Sequence, residues 1–324
     1  MSYPSDMLRL PFFDELDNAQ AILLAGAGGG FDVFSALPLY FGLKNAGKTV
    51  HLANLSFSFL PPPQATKEER PSPSLLKVTA DTPLFGDYFP ELFLARWFRE
   101  QGAETPIYCF ERTGVKPLLA AYTTLVEELA LDTVILVDGG TDSLMRGDEI
   151  GLGTPQEDIA SITAVNELPV ERKMLVCLGF GVDYYHGVCH AHFLEAVAEL
   201  TRNQGYLGMF SLLQDMPEVR QYRLATEAVF EAMPHDISIV SSSILSALAG
   251  HYGDHHATPR TRGSQLWINP LMPVYWCFRL AAVAERVLYL DAMKTTESYD
   301  DVQLVIRRFR STCAQVRPRQ DIPL

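Results

Sequence analysis

The alternation of short apolar runs with helix-period segments is what most constrains the fold of this chain. Strand-like runs read at Ala21–Gly26, Thr49–Leu55, Pro106–Phe110, Thr133–Val137, Met174–Gly179, Tyr206–Leu212 and Asp236–Val240. Helical patterns lie between them at Val33–Asn45, Tyr88–Gln101, Val115–Leu131, Glu157–Leu168, His190–Asn203 and Pro217–Ala232. Strands this uniformly apolar are buried on both faces, and their regular alternation with helices predicts a parallel sheet. The expected class is α/β, a three-layer, mostly parallel Rossmann-like sheet with helices on both faces.

Two segments break the rhythm. Residues 56–87 carry Pro61-Pro62-Pro63 and then the charged, Pro- and Ser-containing stretch Lys67–Ser74. A connection of this length reads as a lid or a small inserted substructure. Residues 250–273 are rich in Gly, His, Arg and Pro without a clear period, and Val274–Val287 and Ser298–Ser311 after them read as closing helices. The organisation expected over residues 1–324 is one α/β domain with two irregular excursions, in preference to two domains. Trp276 and Phe278 in the closing segment suit the core better than a subunit interface, and a homo-oligomer stays open.

Charge narrows the partners. Lys and Arg number 26 against 39 Asp and Glu, a formal charge of -13, which argues against nucleic acid and anionic membranes and leaves small molecules. The five cysteines are scattered without CxxC spacing, as buried reduced thiols are. Met1–Pro11 lacks the pattern of a secretory signal, and no apolar run approaches the ~18 residues of a membrane helix. A cytoplasmic location is expected.

Candidate site residues gather after strand ends. Gly26, Gly28, Gly29 and Gly30 follow the first strand and lead through Asp32 into a helix. Such a loop lets a ligand approach the backbone and offers helix-start amides to an anion. It is neither a clean GxGxxG nor a Walker A motif, because position 31 is Phe and no Gly-Lys-Ser/Thr follows. The second strand ends at Asn54-Leu55-Ser56, without the acid that a dinucleotide fold places there. Asp32 also fits the plainer role of helix N-cap.

After Thr133–Val137 come Asp138, Gly139, Gly140, Thr141 and Asp142, then Arg146-Gly147-Asp148-Glu149. Four carboxylates in twelve residues demand relief by a cation, a proton or a positively charged group. Asp138, Asp142 and Asp148 are the candidate ligands for Mg²⁺ or another divalent cation. The alternative has Asp142 capping a turn, Arg146 pairing with one carboxylate, and Asp148-Glu149 solvated. Thr154, Pro155 and Glu157 spell a capping box for the next helix.

His186, His190, His192 and Asp183 follow the fifth strand and offer an acid/base group or zinc-type ligands, with His186 and His190 the catalytic candidates. His190 and His192 are too close in sequence to share a helix face, and HExxH is absent. Asp254 and His255, near Arg260 and Arg262, form a further ligand-binding candidate or a solvated loop. No GxSxG elbow supports covalent catalysis.

Gly26-Ala27-Gly28-Gly29-Gly30-Phe31-Asp32-Val33, His51–Ser56, Asp138–Asp142, Gly147–Glu149, Gly153–Asp158, Gly250–Asp254 and Asn269–Met272 together resemble the family of uncharacterised prokaryotic proteins called DUF1152. The likeness runs over most of the chain and implies no particular activity. Phe31 stands where the family pattern suggests a further glycine. From the residues themselves, the expectation is a hydrolase or group transferase acting on a nucleotide-like or phosphorylated metabolite at the carboxyl edge of the sheet. A non-catalytic metabolite sensor and an NAD(P)-dependent enzyme are the alternatives.

Overall fold

The computed structural model describes residues 8–60 and 66–322; the Pro61-Pro62-Pro63 run and the first seven residues lie outside the described residues. The strands are β1 (Ala21–Gly26), β2 (Thr49–Leu55), β3 (Leu75–Val78), β4 (Ile107–Phe110), β5 (Thr133–Asp138), β6 (Arg172–Leu178), β7 (Tyr206–Ser211), β8 (Gly253–Asp254), β9 (Trp267–Ile268) and β10 (Val274–Arg279). The first six helices are α1 (Pro11–Leu16), α2 (Asp32–Ser35), α3 (Leu37–Asn45), α4 (Pro90–Glu100), α5 (Val115–Glu128) and α6 (Pro155–Asn166). Six more follow: α7 (His190–Arg202), α8 (Pro217–Ala232), α9 (Ile239–Leu248), α10 (Leu280–Arg286), α11 (Leu290–Met293) and α12 (Tyr299–Thr312).

Eight strands form one sheet in the order β3-β4-β2-β1-β5-β6-β10-β7. The block β4-β2-β1-β5-β6 is parallel, while β3 on β4, and β10 between β6 and β7, pair antiparallel. Alternate side chains divide the core. Leu23 and Ala25 of β1 join the layer of α5, α6, α7 and α10–α12, while Ile22 and Leu24 join that of α1–α4, α8 and α9. Each such fully buried Leu or Ile contributes ~1.5–3 kcal/mol relative to exposure. The expected three-layer α/β arrangement is the one observed.

From β1 the chain moves to β2 on one side, and β5 lies on the other. That reversal opens a crevice outside the carboxyl ends of β1 and β5, where open α/β sheets bind ligands. Both glycine-containing loops leave the sheet there.

Two expected elements are different. Asp236–Val240 is not a strand: Ser238 Oγ accepts from the Ser241 amide at 3.1 Å and caps α9. Val274–Val287 is not one helix; it begins as β10, buried between two strands, and only then turns into α10. Trp276 and Phe278 sit in the core. Of the two excursions, 56–87 contributes edge strand β3, and 250–273 folds as the β8–β9 ribbon over a small core of Val182, Leu266, Ile268 and Met272. No helix among the described residues is long and apolar enough to cross a membrane.

Candidate functional site

A cleft of about 690 Å³ opens at the crevice and is lined by Gly28–Asp32, Asp138, Gly139, Asp142, Asp158, Asp183 and His186, among others. The glycine loop is tied across the sheet: the Ala27 amide donates to the Val137 carbonyl of β5 at 2.9 Å. From the other side Ser161 of α6 donates to the Ala27 carbonyl at 2.8 Å. Asn54, at the end of β2, donates through Nδ2 to the Gly30 carbonyl and to Glu91 Oε1, each at 2.8 Å.

Five buried aspartates converge here from four parts of the chain: Asp32, Asp138, Asp142, Asp158 and Asp183. Asp32 accepts from the Gly28 amide at 2.7 Å. Asp138 accepts from the Ser143 amide at 3.2 Å and from the Ser143 hydroxyl. Asp142 takes the Thr154 amide at 2.7 Å and its hydroxyl at 3.1 Å, and Asp183 takes the amide and hydroxyl of Thr141. Asp158, in the first turn of α6, has neither oxygen hydrogen-bonded among the described residues. One ligand oxygen each from Asp32, Asp138 and Asp158 lie within 4.8 Å of one another.

Glycines make this crowding possible. A Cβ on Gly139 would sit 2.7 Å from an Asp32 oxygen, and one on Gly140 would sit 2.7 Å from an Asp183 oxygen. At Gly153 the backbone is left-handed (φ +67) and a Cβ would come 2.1 Å from Asp142 Oδ2, so only glycine fits.

The donors that reach these carboxylates are amides and hydroxyls, so charge is left unbalanced. Burial, and then the neighbouring Asp142, push the Asp138 carboxyl up to about 7. Burial and Asp138 raise Asp32 well above the usual range; burial and Asp142 do the same for Asp158 and Asp183. Asp142 is raised by burial despite the bonds from Thr154. The group can relieve itself by holding protons or by holding a cation.

The sequence-chosen residues divide. Gly28, Gly29, Gly30, Asp32, Asp138, Gly139, Asp142 and His186 line the cleft. Gly26, Asn54, Gly140 and Thr141 lie behind it: Gly26 packs on Asn54, Asn54 holds the glycine loop, and Gly140 and Thr141 seat Asp183. Asp148 is not with Asp138 and Asp142, because Arg146 and Arg317 hold it by bonds of 2.8 Å each. Glu149 is not solvated; it is fully buried against Arg317 at 2.7 Å. The capping box does not form, since Asp142 takes the Thr154 donors and Glu157 instead accepts from the Tyr299 hydroxyl at 2.7 Å.

His190 and Asp254 line a separate hollow of about 380 Å³ with Tyr184 and Trp267. His255 stacks on His251 with ring centres 4.0 Å apart, and His192 is buried. Sequence reasoning missed Asp158, Glu91, Phe57, Tyr88, Arg112, Asp236 and Tyr299. For Asp158 a signal existed: no charge follows it in α6 as far as Asn166, so the helix is buried, and both acids of its first turn, Glu157 and Asp158, are buried with it.

The family model described as "Protein of unknown function (DUF1152)" matches residues 92–313, and the chain belongs to that family. The match takes in β5, α6 and four of the five aspartates, with Asp32 outside it. A search of curated proteins finds no match.

Proposed function

We propose that the chain is a small-molecule enzyme, a hydrolase or group transferase, acting on a phosphorylated, nucleotide-like metabolite with a divalent cation such as Mg²⁺ in the acidic cleft. Asp158 carries this reading. A buried carboxylate with both oxygens unpartnered is costly unless something neutralises it. Asp32 and Asp138 stand where a shared ion would use all three. Oxygens around Mg²⁺ at ~2.1 Å are themselves ~3–4 Å apart, so a small contraction of the trio suffices.

Asp32, Asp138 and Asp158 would hold the cation. When bound, it would offset charge on the substrate and polarise a phosphoryl oxygen. Asp142, with one oxygen fixed by Thr154, would orient a water or a sugar hydroxyl. His186 is the histidine that lines the cleft and would move the proton. The Gly29 and Gly30 backbone would lie along the anionic part of the substrate.

A nicotinamide cofactor has less support. The Gly28 amide, which a dinucleotide's phosphates would need, is taken by Asp32, and β2 ends without a ribose-binding acid. Calorimetric titration of Mg²⁺ into wild type and Asp158→Asn tests the cation: binding is expected in the first and strongly weakened in the second. A panel of phosphorylated metabolites, followed for turnover with Mg²⁺ and with EDTA, tests the reaction. A metabolite that binds in the Mg²⁺-loaded cleft and is never turned over would replace the enzyme with a sensor.

A further inference from the structure

The cleft is lined by seven carboxylates and, among the described residues, by only two arginines, Arg112 and Arg260. Arg260 spends an N–H on the Ile237 carbonyl at 2.9 Å. Arg112 is held differently. It follows β4 at the carboxyl edge of the sheet, and its guanidinium lies 5.2 Å from the ring centre of Phe57 and 5.4 Å from that of Tyr299. Phe57 rests on the glycine loop, and Tyr299 is fixed by its bond to Glu157.

Aromatic contacts engage the face of a planar guanidinium and leave its N–H edge unspent. Among the described residues no carboxylate makes an ion pair with Arg112, although its charge is felt by Glu157 across the cleft, whereas Arg146, Arg286 and Arg317 each pair. A cation held by rings beside an acidic cleft, with its fork free, is arranged for an anion that arrives with the ligand.

We infer that Arg112 receives the terminal phosphate of the substrate, which makes the ligand a phosphate monoester or diphosphate that reaches from the rim to the buried aspartates. Neutral sugars and polyamines would leave this fork unused. The inference rests on reading the cleft as a site for a phosphorylated metabolite, and it adds the residue that selects for the phosphate.

The probe is inorganic pyrophosphate, titrated calorimetrically into wild type, Arg112→Gln and Arg112→Lys, each with Mg²⁺ and with EDTA. Arg112 is exposed, so the variants should keep the wild-type circular dichroism and melting temperature. Arg112→Gln should weaken pyrophosphate binding by about tenfold or more, and Arg112→Lys should recover part of the loss, because an ammonium cannot present the two-pronged edge. Equal affinity in wild type and Arg112→Gln, or no pyrophosphate binding to wild type in either buffer, overturns the inference. Mg²⁺ titrated by itself reports separately on Asp32, Asp138 and Asp158. If Mg²⁺ fails to bind while pyrophosphate binding still depends on Arg112, the cation falls and the phosphate receptor stands.

Discussion

The loop between β5 and α6 carries acids at both ends of its first dozen residues, and the two ends have opposite fates. Asp138 and Asp142 are buried with three further aspartates and are met by amides and hydroxyls, with no Arg or Lys ion pair among the described residues. Asp148 and Glu149, a few residues on, are also largely buried but are clasped by Arg146 and Arg317, while Arg310 donates to the Gly147 and Glu149 carbonyls at 2.9 and 2.7 Å. The arginines hold the Asp148 carboxyl below its ordinary value, after burial has worked against them. At the paired end the chain has spent its cations on structure. At the strand end it has left charge unbalanced, and the proposed ligand site rests on that imbalance.

The contrast is broken most forcefully at Arg317. Replacing it with Ala leaves Glu149 buried without its cation, and removing one partner of a buried pair costs about 3–5 kcal/mol. Urea unfolding of Arg317→Ala should show that loss, while Mg²⁺ affinity of the folded protein stays near wild type. A change under about 1 kcal/mol would mean that the clasp does not carry the loop.

Next in size is the pH dependence of the strand end. Asp138 moves from an ordinary 3.8 to about 7 on folding, so the folded chain keeps a proton that the unfolded chain releases. Stability without metal should therefore fall as pH rises through that window, by about 3 kcal/mol between about pH 5 and pH 8 at roughly 1.4 kcal/mol per unit. A cation that takes the proton's place should flatten the slope, so stabilisation by Mg²⁺ should grow over the same window. Melting curves in EDTA and in Mg²⁺ that run parallel across pH would detach the cation from these carboxylates.

Asp158→Asn sharpens the comparison by its sign. Wherever its carboxyl is ionised it removes an unpaired buried charge, so in EDTA at the alkaline end of the stable range the variant should be more stable than wild type, by about 2 kcal/mol. With Mg²⁺ the order should reverse. Lower stability in EDTA would show that Asp158 has a stabilising partner in the folded chain.

Much of the frame of this contrast was legible in the sequence. The βα alternation named the layers, and the glycines after β1 and β5 pointed to the crevice, because local periodicity and turn chemistry are written in neighbouring residues. Val274–Arg279 misled because a strand buried on both faces has no alternation to distinguish it from a buried helix. Asp236–Val240 misled in the opposite way: read as a strand, it instead leads into α9, which Ser238 caps and which is helical through Ser241, Ser242 and Ser243 because it is packed. The division of the acids was not legible. Arg317 meets Asp148 across 169 positions and Asp183 meets Thr141 across 42, and no spacing rule reaches so far.

The smallest effect is expected at Asp148, and its pH dependence should be the inverse of that at the strand end. Asp148→Asn leaves Arg317 still bonded to Glu149, so the loss should be only about 1 kcal/mol at neutral pH. Because the folded-state carboxyl is held below its ordinary 3.8, the wild-type advantage belongs to pH values above that and is lost as pH falls through the lowered value. The gain from Asp158→Asn should behave the other way, present at high pH and gone once the raised carboxyl takes its proton. Urea midpoints of both variants against wild type, followed from the alkaline end of the stable range down to about pH 4, should give differences of opposite sign at the top, with the Asp158 difference fading first. If Asp148→Asn instead gained stability at high pH, the arginines around it would be failing to compensate its burial, and the two ends of the loop would be one acidic cluster after all.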